Sequence, residues 1–415
     1  ADILPPIFIK ELQKLQDRVP SESFELIEEF LKEELGDKYG QNIAEIDEEP
    51  TAAASIAQTH RLVLKDGSRA IMKVKRPNIE KNIYIDIEIM ENLAKIAQER
   101  DLFTGFIRPV EIISEFKRAM RDELNFKSEM ANILRFTSDF KDNPNIKAPG
   151  VYSELSTANV LVMEEIIGEK LGNIDSDHPN NKFLAVLGAK ALMRQVLING
   201  FFHADPHPGN IFVVDNEVLA YVDFGMVGRI TEEDKDMLSL LFYALINKKI
   251  NVLTDIILIL GEAPDDLNRR RFKLDMTKLL DRYYGSDLSD IEFQIVFEDV
   301  QQFIFEHKIR MPQEFFLLFR AIGVSEGVGL SLDPDFNVVE IGREFIEEIL
   351  KDRLNPKNIK DRISSGLWKF GRKNHETKTQ IKELLEKLVQ DDFTINFKHS
   401  NLENFIYKLD VVTNR

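Results

Sequence analysis

Residues 203–225 read HADPHPGNIFVVDNEVLAYVDFG, a stretch that sets histidine, aspartate and asparagine side chains around a short apolar core. His203 and His207 are four apart, the spacing that puts two metal ligands on one helix face. Pro206 and Pro208 flank His207, however, and proline removes helical donors and clashes with the preceding turn. A helical zinc pair is excluded on that ground. IFVV (211–214) and VLAYV (218–222) read instead as two strands joined by a turn around Asp215-Asn216-Glu217. A hairpin brings its open ends together, so Asn210 and Asp223 are expected side by side. Asp205 is carried in by a loop stiffened by the prolines. Oxygen-bearing side chains converging in this way suit Mg²⁺, which keeps waters and takes further ligands from phosphate.

Asp-x-x-x-x-Asn, followed at hairpin separation by Asp-Phe-Gly, is the spacing of a kinase active site. In that scheme Asp205 orients or deprotonates a nucleophile, while Asn210 and Asp223 hold metal. A turn that uses Asp and Asn for backbone hydrogen bonds accounts for either half alone, but not for both together. Further parts of such a site can be sought in chain order. RLVL-KDGS-RAIMKVK (61–75) reads as a β-hairpin whose second strand carries Lys73, where a lysine contacts the α- and β-phosphates. Residues 110–140 read as helical and offer Glu123 and Glu129 as its carboxylate partner. The strand ANVLVMEEI (158–166) has the form of an inter-lobe hinge. There the backbone from Glu164 to Ile166 would bond adenine, with Met163 packing behind it.

Two departures narrow the class. Ala52, Ala53, Ala54 and Ser55 stand where a glycine-rich loop would cover phosphates. Alanine meets a steric penalty at positive φ that glycine does not, so this loop cannot cradle phosphate in the usual way. Taken in isolation, the three alanines are simply good helix formers. Only MVGRI then separates Asp-Phe-Gly from the next helix, which Thr231 caps. That is too little chain for an activation segment on which a peptide substrate docks. Ordinary protein kinase activity is disfavoured.

The rest of the composition sets bounds. At 415 residues, with a formal charge of −17, the chain is long enough for two lobes and lacks the basic footprint of a nucleic-acid binder. It has no cysteine, which excludes thiol catalysis, disulfides and cysteine metal sites. No run approaches the roughly eighteen apolar residues of a membrane span, and residues 1–13 do not have the pattern of a signal peptide. The start reads more like a chain cut into than a natural beginning. A β-containing first part precedes a helical second part. The expected fold class is α+β; the family resemblance described below adds that it is a bilobal protein-kinase-like fold with N-terminal helices and a C-terminal helical extension. Its divisions are 1–50 (helical extension), 51–166 (N-lobe), 167–345 (C-lobe) and 346–415 (C-terminal extension).

ELQKLQDRVP (11–20), AAASIAQTH (52–60), AIMKVKRP (70–77), ELNFKSEMAN (123–132), VLVMEEIIGEKL (160–171), HADPHPGN (203–210) and VDFG (222–225) together resemble the UbiB family of atypical kinase-like proteins, the ADCK group of eukaryotes. The resemblance covers nearly the whole chain. It implies Mg²⁺–nucleotide (ATP/ADP) binding and an ATPase or atypical kinase role supporting isoprenoid lipid, typically quinone, biosynthesis at a membrane. By position it implies that Lys73 is the phosphate lysine and Glu129 its partner, with Glu123 in the adjoining acidic motif. Asp205, Asn210 and Asp223 match the catalytic-loop and metal residues. Ala57 replaces a glycine usual in the loop, and Asn125 replaces an aspartate of the acidic motif. The family's Lys-x-Gly-Gln motif would precede Ala1; KYGQ at 38–41 is out of place for it.

Residues 351–375 hold eight Lys/Arg against two Asp, with Ile359, Ile363, Leu367 and Phe370 at helical spacing beside Trp368. This reads either as a basic amphipathic helix at a membrane surface or as a core-packing helix with a solvated face. The resemblance tilts toward the first, toward location on the cytoplasmic side, and toward an anchor expected beyond Arg415. Expected partners are nucleotide, a membrane surface or lipid-linked substrate, and quinone-biosynthesis enzymes, with no nucleic acid. Two rival readings remain: a small-molecule phosphotransferase of the aminoglycoside or choline kinase type, and a non-enzymatic nucleotide-sensing scaffold.

Overall fold

In the computed structural model the described residues are 21–100, 108–284, 293–338, 340–343 and 345, all within one compact unit, Ala1–Leu350. The first twenty residues of the expected 1–50 helical extension and the basic segment 351–375 lie outside them. Helices α1 (Phe24–Leu35) and α2 (Asp37–Asn42) are separated by Gly36, whose φ of +54° suits a residue without Cβ. KYGQ falls within α2.

The first sheet contains β1 (Ile43–Ile46), β2 (Ala52–Ala53), β3 (Ala57–Leu64), β4 (Arg69–Lys75) and β6 (Val160–Glu164). Its order is β1-β3-β4-β6, with β2 also paired to β3, and every pair is antiparallel. The expected β3–β4 hairpin turns at Gly67, with Asp66 Oδ1 accepting from the Ser68 N–H at 2.8 Å. Alternation along β4 then decides what faces where. Ala70, Met72 and Val74 are buried in one core with Ile27, Leu31 and Leu35 of α1. The two-residue period turns Lys73 to the opposite face, toward the second lobe.

Helices α3 (Ile79–Glu99) and α4 (Pro109–Glu123) pack together, and α5 (Phe126–Asp139) follows. The single helix expected at 110–140 is thus two. Asn125 ends the run, its side chain accepting from the Lys127 N–H at 3.2 Å, because asparagine competes for backbone donors and favours the N-cap.

A second sheet joins β5 (Ile146–Lys147), β10 (Val218–Tyr221), β9 (Ile211–Val214) and β7 (Glu169–Lys170) in that order. The hairpin expected at 211–222 is its centre, turning through Asp215 and Asn216 at positive φ. β5 pairs parallel to β10, so the chain visits the second lobe before returning to β6. Between them, α6 (Asn181–Arg194) continues as a π-helical turn, Gln195–Asn199, that ends at left-handed Gly200. A third pairing was not expected from sequence. β8 (Phe201–His203) meets β11 (Val227–Arg229) antiparallel, with His203 opposite Val227. The two ends of the 203–225 stretch are thereby clamped together.

The remainder is helical: α7 (Glu232–Ile246), α8 (Ile250–Leu260), α9 (Arg269–Tyr284), α10 (Phe293–Glu306) and α11 (Gln313–Leu332). Thr231 caps α7 as expected, accepting from the Asp234 N–H at 3.1 Å. Leu253, Phe272, Met276, Phe303 and Ile304 form the core of α8 to α10. The expectation that no segment matches a membrane span is corrected by α11. Among the described residues this helix is long and apolar enough by length and composition. It carries Glu314, Arg320 and Glu326, however, packs on α6, and buries Phe315, Leu318, Ala321 and Ile322. Its apolarity serves the core of the second lobe. The chain adopts the α+β, bilobal kinase-like arrangement.

Candidate active site

Lys73 Nζ stands 2.9 and 3.1 Å from the two carboxylate oxygens of Glu129 and 3.3 Å from Asp223 Oδ1. Its ammonium also lies over the Phe126 ring, 5.4 Å from the centroid. Burial pulls the Lys73 ammonium down, but the charges of Glu129 and Asp223 outweigh it and the net shift is upward. Burial pushes the Glu129 carboxyl up, opposed by Lys73. The bidentate contact from an ammonium that itself stays charged decides for an ionised pair. Glu123, at the end of α4, makes no such contact with Lys73. Burial raises its carboxyl, with Lys73 opposing and Asp223 adding to the rise. Of the two carboxylates offered by the sequence, Glu129 pairs with Lys73.

Asp223 follows β10, and the Val222 N–H donates to Asn210 O at 2.9 Å, so the two hairpin ends meet as expected. Its backbone is left-handed, at φ +59°, an uncommon conformation for a residue with a side chain. Burial pushes its carboxyl up, but Lys73 and the Gly225 N–H hold it below the usual carboxylate range. Asn210 Nδ2 donates to Asp205 O at 3.3 Å, and the Asp205 carboxylate accepts from Arg320 Nη2 at 3.1 Å. His203 is buried and structural. Its Nδ1 accepts from the Asp205 N–H at 3.2 Å, so the proton lies on Nε2, which donates to Val222 O at 3.1 Å. His207 accepts from the Gly209 N–H through Nδ1 at 3.1 Å. Neither histidine is available to a metal through the nitrogen so engaged, in keeping with the exclusion of a zinc pair.

The donor set fits a hard cation. Among the described residues no three histidine, aspartate or glutamate side chains converge. The residues that would hold it are Asn210 and Asp223, one carboxamide and one carboxylate oxygen, the kind of incomplete shell that Mg²⁺ completes with water and phosphate.

Ala52 and Ala53 form β2, opposite Thr59 and Gln58, and the Ala54 N–H closes the turn on Ala57 O at 2.8 Å. The segment is extended rather than helical. Its φ angles are all negative, as alanine requires, and Ala52 to Ser55 are solvent-exposed. Buried Arg76 ties Ala54 O down through Nε at 3.0 Å. At the hinge Met163 is buried in β6, opposite Ile71. The amides of Glu164 and Glu165 donate to Gly150 O and Arg69 O, at 2.7 and 3.2 Å. Adenine recognition at this edge would therefore fall to the Ile166 N–H and to backbone carbonyls.

The chain as a whole is similar to known proteins. Residues 14–256 match the model of the ABC1 atypical kinase-like domain, and residues 276–337 that of the UbiB helical domain. The chain belongs to the ABC1 atypical kinase-like family. It is 32% identical over 365 residues to the probable protein kinase UbiB of Tolumonas auensis, across 86% of this chain and 67% of that one. It is 31% identical over 421 residues to the chloroplastic protein Activity of BC1 complex kinase 7 of Arabidopsis thaliana, across 99% of this chain and 57% of that one. The solved complex of Rv3197 with erythromycin from Mycobacterium tuberculosis aligns with a TM-score of 0.59 over 82% of this chain and 88% of that chain. At 18% identity, that is a likeness of fold.

Within the ABC1 framework, two polar residues at the site were not singled out by sequence. Arg320 lies on α11, inside the UbiB helical domain and 115 residues from Asp205, and no local pattern announces such a contact. Asn132 is one helical turn after Glu129, and its amide donates to Phe224 O at 3.0 Å. That three-residue spacing, in a stretch already placed on a helix, was a usable signal.

Proposed function

We propose that this ABC1-family chain binds Mg²⁺–ATP between its lobes and catalyses loss of the γ-phosphoryl group, to water or to a hydroxyl acceptor. What carries the reading is one cation shared by two elements. Lys73 Nζ is held between buried Glu129 and solvent-exposed Asp223, at the mouth of a hairpin whose other end bears Asn210. In this reading Lys73 contacts the α- and β-phosphates, and Asn210 and Asp223 hold Mg²⁺, which when bound neutralises phosphate charge. Asp205, oriented by Arg320, accepts the nucleophile's proton as the new P–O bond forms and the β–γ bridge bond breaks. ADP leaves with the electron pair of that bond. Exposed alanines in place of a glycine-rich flap support a preference for a shallow phosphate grip, as does the short link from Gly225 to α7 for a small or lipid-linked acceptor. Support of isoprenoid lipid and quinone biosynthesis at a membrane rests on the family resemblance.

The experiment is a thermal shift with Mg–ATP, Mg–ADP and nucleotide without metal, on wild type and Asp223→Asn. A ligand that binds the native state raises apparent stability by about 2.7 kcal/mol at a hundredfold excess over Kd. The expected result is a metal-dependent shift in wild type that disappears in the variant. An equal shift in both proteins would remove Asp223 from the metal site, and no shift in either would overturn nucleotide binding.

A further inference from the structure

Asp223 holds a left-handed backbone, and strain of that kind persists only where the surroundings over-determine it. Two side chains do so, one on each side. His203 Nε2 donates to Val222 O, the carbonyl before Asp223, at 3.1 Å. Asn132 Nδ2 donates to Phe224 O, one residue beyond the carbonyl of Asp223, at 3.0 Å. The first tether stays within the second lobe. The second crosses from α5, the helix that also presents Glu129 to Lys73.

Asn132 is buried, and its orientation is fixed by chemistry. Its Oδ1 accepts from Arg229 Nη2 at 3.0 Å, a group that can only donate, while Phe224 O can only accept. Arg229 sits on β11, just past the metal loop, stacked over the Phe201 ring at 5.3 Å. One carboxamide therefore joins both limbs of the loop that carries Asp223. Farther along α5, on the same face, the Phe136 ring packs on the Phe224 ring at 5.0 Å. Glu129, Asn132 and Phe136 are spaced three and four apart, so one helical stripe touches the phosphate lysine and the metal loop together.

We infer that Asn132 is a positioning residue that couples α5 to the metal loop, so that Asp223 is set for Mg²⁺ only while Glu129 holds Lys73. The two anchors move as one because they share a rigid helix. Displacing α5 releases both, whereas a lesion at Asn132 frees the loop and leaves the Lys73–Glu129 pair in place. The Mg²⁺ arm of this inference rests on the proposed function; the mechanical arm does not.

The test takes the full chain as wild type, Asn132→Leu, Asn132→Asp and Arg229→Met. Asn132→Leu removes both hydrogen bonds at similar size. Asn132→Asp keeps the acceptor for Arg229 but loses the donor to Phe224, and guards against a variant that fails to fold. The first readout is amide hydrogen exchange without ligand. Exchange over residues 223–229 should accelerate about tenfold in both Asn132 variants, and less in Arg229→Met, with the β9–β10 hairpin unchanged. Wild-type exchange over 223–229 in a folded Asn132→Asp would overturn the inference. The second readout is binding of a fluorescent ADP with and without Mg²⁺. Affinity without metal should stay within about twofold of wild type, while the gain on adding Mg²⁺ falls about tenfold, the usual effect of removing an outer-shell partner. An unchanged gain, or equal losses with and without metal, would overturn the coupling. A wild type that shows no Mg²⁺-dependent gain would sink the nucleotide reading instead, and the exchange result would still decide the tether.

Discussion

His203 shows how a residue that looks chemical can be structural. It sits in the histidine pair that first suggests a metal, yet both its nitrogens serve the backbone, at Asp205 N and Val222 O. Burial pushes its imidazole down, so the folded protein keeps it neutral. The unfolded chain takes up a proton near pH 6.5. Stability is therefore full above that pH and is lost as pH falls toward the folded value, at up to about 1.4 kcal/mol per pH unit for this one proton. Urea midpoints at pH 7 and pH 5 are expected to differ in wild type and to differ less in His203→Gln. An identical pH dependence in the two proteins would assign the loss to other groups. Glu123 and Glu129 make the complementary point. Both lie on helical sequence at plausible distance, and only the break at Asn125 decides which of them reaches Lys73.

At the scale of elements, α11 has two roles that composition alone confuses. Its apolar face is core, and the same helix delivers Arg320 to Asp205. The guanidinium fixes the carboxylate that is proposed to face the nucleophile, and small misplacements of such a group reduce turnover steeply. Arg320→Met is expected to lower kcat for ATP hydrolysis by roughly tenfold to a hundredfold while the KM for ATP changes little, since Lys73 and Asp223 are untouched. A matching rise in KM, with kcat kept, would place Arg320 in nucleotide binding rather than at the reacting end. The β8–β11 pair was illegible in sequence for a physical reason. Each strand is three residues long, too short to show a period, and Phe202 lies against Gly228 across the pair. A methyl group on Gly228 would meet the Phe202 ring at 2.0 Å, so the glycine is what lets the strands close.

For the whole molecule, one lobe brings the phosphate lysine and the other the metal loop, and the site exists where they meet. Charge divides along the chain as well. The protein carries −17 overall, but residues 351–375 carry eight Lys/Arg against two Asp. Each basic residue near an anionic surface adds about 1 kcal/mol of attraction. On the membrane reading that the family resemblance implies, reversing Arg362, Lys369, Arg372 and Lys373 to glutamate is expected to abolish co-sedimentation with phosphatidylserine vesicles, and to leave the Mg–ATP thermal shift intact. Undiminished vesicle binding in the variant, or none in wild type, would overturn that reading.

Sequence by itself determined the parts whose information is local. The 203–225 hairpin, Lys73 on a strand, the Thr231 cap and the kinase-like α+β class all follow from periods, turns and spacings within a few tens of residues. Tertiary structure alone decided the long-range choices. These are Arg320 against Asp205, Asn132 beneath Phe224, and the core role of α11. Each depends on which faces of distant elements pack together, and a side chain's partner across such a contact leaves no periodic trace in either segment.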